Sequence, residues 1–384
     1  MEILLIEDDD NKRADIEAFI SSLIPGGVGL EFACALDDAR RKILAKSYDL
    51  IVFDFFLPLS RQDGLSTPQD VSNELAADFR YSKNYQTETI AITQYKLDDS
   101  KGIPVFNGAG ISVVHYAQDD ESWKDSLKQK INRVNNFVRY DFLIFCALTK
   151  ERDGYRLTDA EIGDFRNIDG MSCLDLCIAQ KKGLCLVPKK PGLVNMAVIA
   201  AKAIEKFQPK IVAMSGICAG VEGDSKLMDL VVGQLCWEYQ TGKFKANKFQ
   251  SEPYQISIPH DLEVDLSQFI QGEDLKKKIR KGLFFEKMND FDIILAPLSS
   301  GSAVISDNKK MQEIGEQHRK MAALEMEMFS MYEAAYQSLC APLFFGVKAV
   351  VDMGDDKKND QLHAPACATS ARFVYEFLSW KLQS

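Results

Sequence analysis

"EILLIEDDDNKRADIEAFISSLI", residues 2–24, runs from an apolar stretch into four acids and then into a segment that reads as helix. A short apolar run bounded in this way is a buried strand feeding a helix. The pattern repeats: "LEFACA" (30–35) reads as strand, "LDDARRKILAKS" (36–47) as helix and "YDLIVFDFFLP" (48–58) as strand. Strand before helix, repeatedly, predicts an α/β domain with a parallel sheet covered by helices on both faces.

Ligands of such sheets bind at the carboxyl ends of the strands. Glu7 and Asp8 follow the first strand, Asp54 ends "DLIVFD", and Thr93 ends "TIAIT". The three carboxylates have no basic partner between them in this reading, so they repel one another unless a hard divalent cation intervenes. Oxygen ligands of this kind suit Mg²⁺. The competing reading has the acids capping the following helices.

These residues carry a resemblance. "LLIEDDD", "DLIVFDFFLP" and "AITQY" resemble the signature of the response-regulator receiver family over residues 1–135. The resemblance implies a flavodoxin-like receiver domain with Asp54 as phosphoacceptor, Glu7, Asp8 and Asp54 around Mg²⁺, and Thr93 as the switch hydroxyl. It also implies a sensor histidine kinase or phosphotransfer partner. The lysine that receivers carry after the fifth strand is missing, its place falling near Asp119. "DESWKDSLKQKINRVNNFVRY" (120–140) then reads as one long amphipathic helix, a candidate lever between domains.

A chain of 384 residues is comfortable for two domains. Its composition, 46% apolar and 27% charged, is that of a soluble globular protein. No segment approaches the roughly 18 to 20 uninterrupted apolar residues of a membrane helix, and the N-terminus lacks the basic flank and cleavage site of a secretory signal. A cytoplasmic protein is expected. A net charge of -10 without a basic cluster argues against nucleic acid as partner. The nine cysteines include no C-x-x-C pair and sit mostly in apolar runs, which reads as buried thiols. None of His115, His260, His318 and His363 is spaced like a zinc ligand.

The strand-helix alternation restarts at "DFLIFCALTKE" (141–151), defining a second domain over residues 140–384 around a mixed sheet. Strands are expected at 142–148, 210–217, 229–239, 292–298 and 342–351, with helices at 192–207 and 364–382. Polar and glycine residues cluster after these strands: Glu151, "SGICAG" (215–220), "SSGSA" (299–303) and Asp352. Parallel strands would turn all four groups toward one pocket, where glycines allow backbone N–H groups to approach a ligand.

"LEMEMFSMYEAA" (324–335) places Glu325 and Glu327 ahead of a helix whose apolar stripe is Met328, Met331, Tyr332, Ala335 and Leu339. Acids at a helix N-terminus are explained by the macrodipole. Alternatively, a carboxylate on a pocket wall accepts both hydroxyl hydrogens of a ribose. With Asp352 across the pocket, one acid can protonate a leaving base while another orients water.

This motif set resembles the nucleoside phosphorylase and nucleosidase superfamily over residues 142–380. "SGICAGVEGDSKLMDLVVG" resembles its glycine loop (Gly216, Ile217, Cys218, Gly220), "SSGSAVISD" its base-binding loop (Ser302, Val304, Ile305), "LEMEMFSMYEAA" its ribose segment, and "VKAVVDMGDDKKND" its catalytic strand end. The resemblance implies purine N-glycosidic bond cleavage, with Met326 and Glu327 on the ribose, Asp352 at N7 of the base and Glu151 activating water. Lys348 replaces the usual arginine. A receiver joined to such an enzyme resembles antiphage effectors that cleave adenine from ATP. ATP is therefore the leading substrate, with Lys357, Lys358 and Lys243, or Lys189 and Lys190, as candidate phosphate-binding residues. The alternatives are AMP, methylthioadenosine or S-adenosylhomocysteine, phosphorolysis instead of hydrolysis, and a purine-binding module without catalysis. No cofactor is expected in the second domain. Superfamily members assemble as oligomers, so a homo-oligomer is expected.

Overall fold

The computed structural model describes residues 1–24, 28–60, 67–95, 102–135, 139–246, 248–283, 288, 290–355 and 360–383. They fall into two compact units, Met1–Val138 and Arg139–Ser384.

In the first unit, strands Glu2–Ile6, Gly29–Ala33, Leu50–Phe53, Glu88–Thr93 and Ser112–His115 form one sheet. All its pairings are parallel. The spatial order is second, first, third, fourth, fifth, the order of flavodoxin-like sheets. Side chains alternate across a strand, so Leu4 and Ile6 join one core while Ile3 and Leu5 join the other. Both faces are covered, which is why the strand reads as unbroken apolar sequence rather than as alternation. Ile16 and Ile20 pack on one face with Trp123, Leu127 and Ile131; Ile43, Leu75, Phe79 and Phe106 pack on the other. The helix expected over 120–140 spans Ser122–Asn135, and 136–138 lie outside the described residues. Tyr140 packs in the second unit's core, edge-on to Phe207 at 5.2 Å between ring centroids.

The second unit is a mixed sheet of ten strands among the described residues. Strand Phe142–Phe145 lies between Lys181–Val187 and Ile211–Gly220, parallel to both. Strand Leu343–Asp352 pairs parallel with Ile211–Gly220 and antiparallel with Leu230–Glu238. The latter two are also joined the other way round through Ile293–Ser300 and Ala323–Glu325, so five strands close a circuit. Strands Met171–Ile178 and, at the edge, Glu161–Ile168 extend the sheet antiparallel beyond Lys181–Val187 and were not expected from the sequence. Most of Glu161–Ile168 is exposed and polar, so no apolar pattern marks it.

Two local expectations change. "SGICAG" is not a loop but the end of strand Ile211–Gly220. Helix Met328–Tyr336 stops before Leu339, which is 68% exposed, so the apolar stripe ends at Ala335. All nine cysteines are free, and Cys340 is exposed rather than buried. No helix among the described residues is long and apolar enough to cross a membrane.

Phe345, fully buried on the shared strand, meets Phe377 of helix His363–Lys381 edge-on at 4.9 Å between centroids. Phe345→Ala is expected to destabilise the second unit by about 3–5 kcal/mol. Urea denaturation monitored by hydrogen exchange in residues 343–352 measures this.

Candidate functional site

A cavity of about 270 Å³ opens where strands of the second unit end, lined by Glu151, Ile217, Cys218, Val304, Ile305, Glu325, Met326, Glu327 and Asp352, with Lys150 and His363. The four clusters seen in the sequence thus meet there, through Glu151, Ile217 to Ala219, Ala303 and Asp352.

Glu151 sits in the short helix Thr149–Asp153 directly after strand Phe142–Phe145 and is 2% exposed. Its Oε2 accepts N–H groups of Ala147 (2.7 Å) and Leu148 (3.0 Å), and its Oε1 accepts that of Ile217 (3.0 Å). Gly216 makes this possible: a Cβ there would lie 2.4 Å from Glu151 Oε1. The glycine is required by close approach of a carboxylate rather than by a turn.

The two acids of "LEMEM" divide the roles that the sequence left open. Glu325 ends a strand and turns back on the helix: its carboxylate accepts the N–H of Glu327 (2.9 Å) and of Met328 (2.9 and 3.0 Å), and the Ser300 hydroxyl donates to it. Glu327 faces the cavity, anchored by the N–H of Gly192 at 2.8 Å. Lys348, with no exposed surface, places Nζ 3.1 Å from Glu325 and 3.5 Å from Glu327. Burial lifts the Glu327 carboxyl to about 7, against the pull of Lys348 and with the help of Glu325 and Glu151. Burial opposes the charge of Lys348, but Glu325, Glu151 and Glu327 outweigh it and hold the ammonium charged. Asp352, half-buried at the end of strand Leu343–Asp352, accepts the N–H of Gly354 at 2.8 Å.

Other expected residues fall elsewhere. Ser302 is exposed, outside the lining, with its N–H donated to Gln240 at 2.7 Å. Gly216 and Gly220 support the cavity wall without lining it. Lys243 is exposed on hairpin strand Gly242–Lys245, and Lys189 and Lys190 are exposed; none of the three lines the cavity. Lys357 and Lys358 lie outside the described residues. Lys150 and His363, which do line it, were not singled out; adjacency of Lys150 to Glu151 was the available signal.

In the first unit, Asp54, Glu7 and Thr93 are buried at the carboxyl ends of adjacent strands, with Asp8 beside them. The premise that no cation lies among the acids is overturned. Lys12, 1% exposed on the helix that follows the first strand, places Nζ 2.7 Å from Glu7 and in a hydrogen-bonded ion pair with Asp54. Asp9 caps that helix, accepting the N–H of Lys12 at 3.0 Å, which fixes where Lys12 begins. Asp54 Oδ1 accepts the N–H of Phe55 (2.7 Å) and Phe56 (3.0 Å), and Thr93 Oγ1 that of Tyr95 (3.3 Å). Burial raises the Glu7 carboxyl to about 7, Lys12 opposing and Asp54 adding to the shift. As arranged, Glu7, Asp8 and Asp54 do not fit Mg²⁺, because the ammonium fills the space a divalent ion needs. No group of three or more His, Cys, Asp or Glu among the described residues could hold a metal. A cavity of about 360 Å³ in this unit lies by Thr87 and Glu88, at the opposite end of strand Glu88–Thr93 from Thr93, and its Glu88 and Lys130 pair with each other at 2.7 Å.

The model of the phosphorylase superfamily matches residues 175–379, and the chain belongs to that family. The chain is 25% identical to the uncharacterized protein y4jS of Sinorhizobium fredii, over 95% of each chain. It is 22% identical to the ATP nucleosidase Cap17 of Escherichia coli, over 49% of this chain and 39% of that protein. It is 25% identical to the 5'-methylthioadenosine/S-adenosylhomocysteine nucleosidase of Exiguobacterium sp., over 56% of this chain and 85% of that protein. The relatives with a named activity are nucleosidases, which support N-glycosidic bond hydrolase activity.

Removing Lys12 strands two buried carboxylates. Lys12→Ala is expected to cost about 3–5 kcal/mol at pH 8. The cost shrinks toward pH 5: a carboxyl whose pKa is raised on folding contributes its stability at low pH and loses it as pH rises through about 7. Urea denaturation at both pH values, with hydrogen exchange read in residues 2–6 and 50–53, measures it.

Proposed function

We propose that the second unit is a purine nucleosidase hydrolysing the N-glycosidic bond of an adenine nucleotide, with ATP as substrate and adenine and ribose 5-triphosphate as products. The observation that carries this is the convergence of Glu151, Glu327 and Asp352 on one cavity. Breaking the bond builds positive charge on the ribose and negative charge on the base. Glu327, ionised, accepts the ribose hydroxyls and faces the developing cation. Asp352 donates a proton or hydrogen bond to N7 of the base. A carboxylate offers about four acceptor sites; backbone N–H groups take three of those of Glu151, leaving acceptor capacity for a water aimed at the sugar carbon. Hydrolysis is favoured over phosphorolysis because no arginine lines the cavity among the described residues. ATP is favoured by the similarity to an ATP nucleosidase, and methylthioadenosine is the second reading by similarity to the nucleosidase of Exiguobacterium.

The first unit is read as a receiver-like regulatory module, on the strength of its strand order and of Asp54 and Thr93 at adjacent strand ends. A phosphotransfer partner acting on Asp54 and a role as signalling or antiphage effector follow from that reading, and a homo-oligomeric enzyme from the superfamily of the second unit. Phosphorylation would have to displace Lys12 from Asp54.

Incubating the purified chain with ATP, without added phosphate, is expected to release adenine, measured by chromatography. Asp352→Asn is expected to slow release about 10²–10⁴-fold; unchanged turnover would remove Asp352 from the chemistry. Because Glu327 must be ionised to accept, kcat/KM is expected to rise with pH through about 7, and Glu327→Gln to abolish that limb of the profile.

A further inference from the structure

The cavity carries four carboxylates, Glu151, Glu325, Glu327 and Asp352, and its cationic groups are gathered in one place. Lys150, on the short helix that carries Glu151, meets His363, the first residue of the C-terminal helix, with Nζ 2.5 Å from Nδ1. An ammonium has no acceptor lone pair, so Lys150 donates and Nδ1 accepts, which places the ring hydrogen on Nε2. Lys150 thus brings the positive charge of the pair to the cavity. Lys150 is exposed and His363 half-buried, whereas Glu151, Glu325 and Glu327 are buried and Asp352 half-buried, so the exposed charge of the cavity is positive and most of its buried charge is negative.

Cleaving a neutral nucleoside uses none of this. A nucleotide, by contrast, carries a polyanionic tail that the buried acids repel and that charge-assisted donors at the mouth would hold. Lys150 lines the cavity from the same short helix as Glu151, the residue that on the nucleosidase reading aims water at the sugar carbon. We propose that Lys150, positioned by His363, binds the 5'-phosphate groups of the substrate and is the determinant of nucleotide over nucleoside. This rests on the nucleosidase reading of the same cavity.

The test measures kcat/KM for ATP and for methylthioadenosine in the full chain, Lys150→Gln and Lys150→Arg, with and without inorganic phosphate. The expected result is a ratio of ATP to methylthioadenosine that falls about 10- to 100-fold in Lys150→Gln, through KM, and recovers in Lys150→Arg. An equal fall for both substrates overturns the assignment and makes Lys150 a support of Glu151. Acceleration by inorganic phosphate that Lys150→Gln abolishes also overturns it, because the pair would then hold a phosphate nucleophile. Wild-type turnover of methylthioadenosine but not ATP overturns it while leaving a nucleosidase. No adenine from either substrate overturns the nucleosidase reading and this inference with it.

Discussion

The ammonium of Lys348 has no exposed surface and stands between Glu325 and Glu327, and the second unit's pocket depends on that arrangement. Carboxylates taken out of water lose several kcal/mol each unless charge and hydrogen bonds offset the loss. Here the offset comes from one lysine on strand Leu343–Asp352, supported by the backbone N–H groups of Gly192, Glu327 and Met328. The same strand ends in Asp352 and closes the five-strand circuit, so the element that neutralises the acids also positions the residue facing them. Compensation is incomplete at Glu327, where burial prevails and the carboxyl sits near 7.

The first unit answers the same problem in a parallel way. Lys12 neutralises Glu7 and Asp54 as Lys348 neutralises Glu325 and Glu327, each lysine reaching in from a neighbouring element with almost no surface of its own. The consequences differ. In the second unit the acids remain open to a cavity and available to a ligand. In the first, Asp54 is engaged on both oxygens, by Lys12 and by the N–H groups of Phe55 and Phe56. The charge of those acids is thus answered from within the unit, by a lysine of the helix that follows the first strand.

Much of the fold was legible in residue patterns. Strands buried on both faces, such as Ile3–Ile6 and Leu50–Phe53, are continuous apolar runs and announce themselves. Edge strand Glu161–Ile168 does not, because a mostly exposed strand has no apolar periodicity. Glu151, Glu327 and Asp352 were recognisable as acids after strands or before a helix, and the cavity contains all three. Ser302 belongs to a loop of which Ala303, Val304 and Ile305 reach the cavity, and membership of a loop does not fix which way each of its residues turns; Lys243 follows a strand that does not line the cavity.

Residue type and order therefore determined the two α/β units, their buried strands and the identity of the acids that could carry chemistry, because hydrophobic periodicity and strand-end position are local properties. Tertiary structure decided which cations answer those acids. Lys12 meets Asp54 across 42 residues, Lys348 meets Glu327 across 21, and Lys150 meets His363 across 213. A lysine's long side chain reads as solvated surface in any local pattern. Only the packing of distant elements takes it out of water and sets it beside a carboxylate or a ring nitrogen.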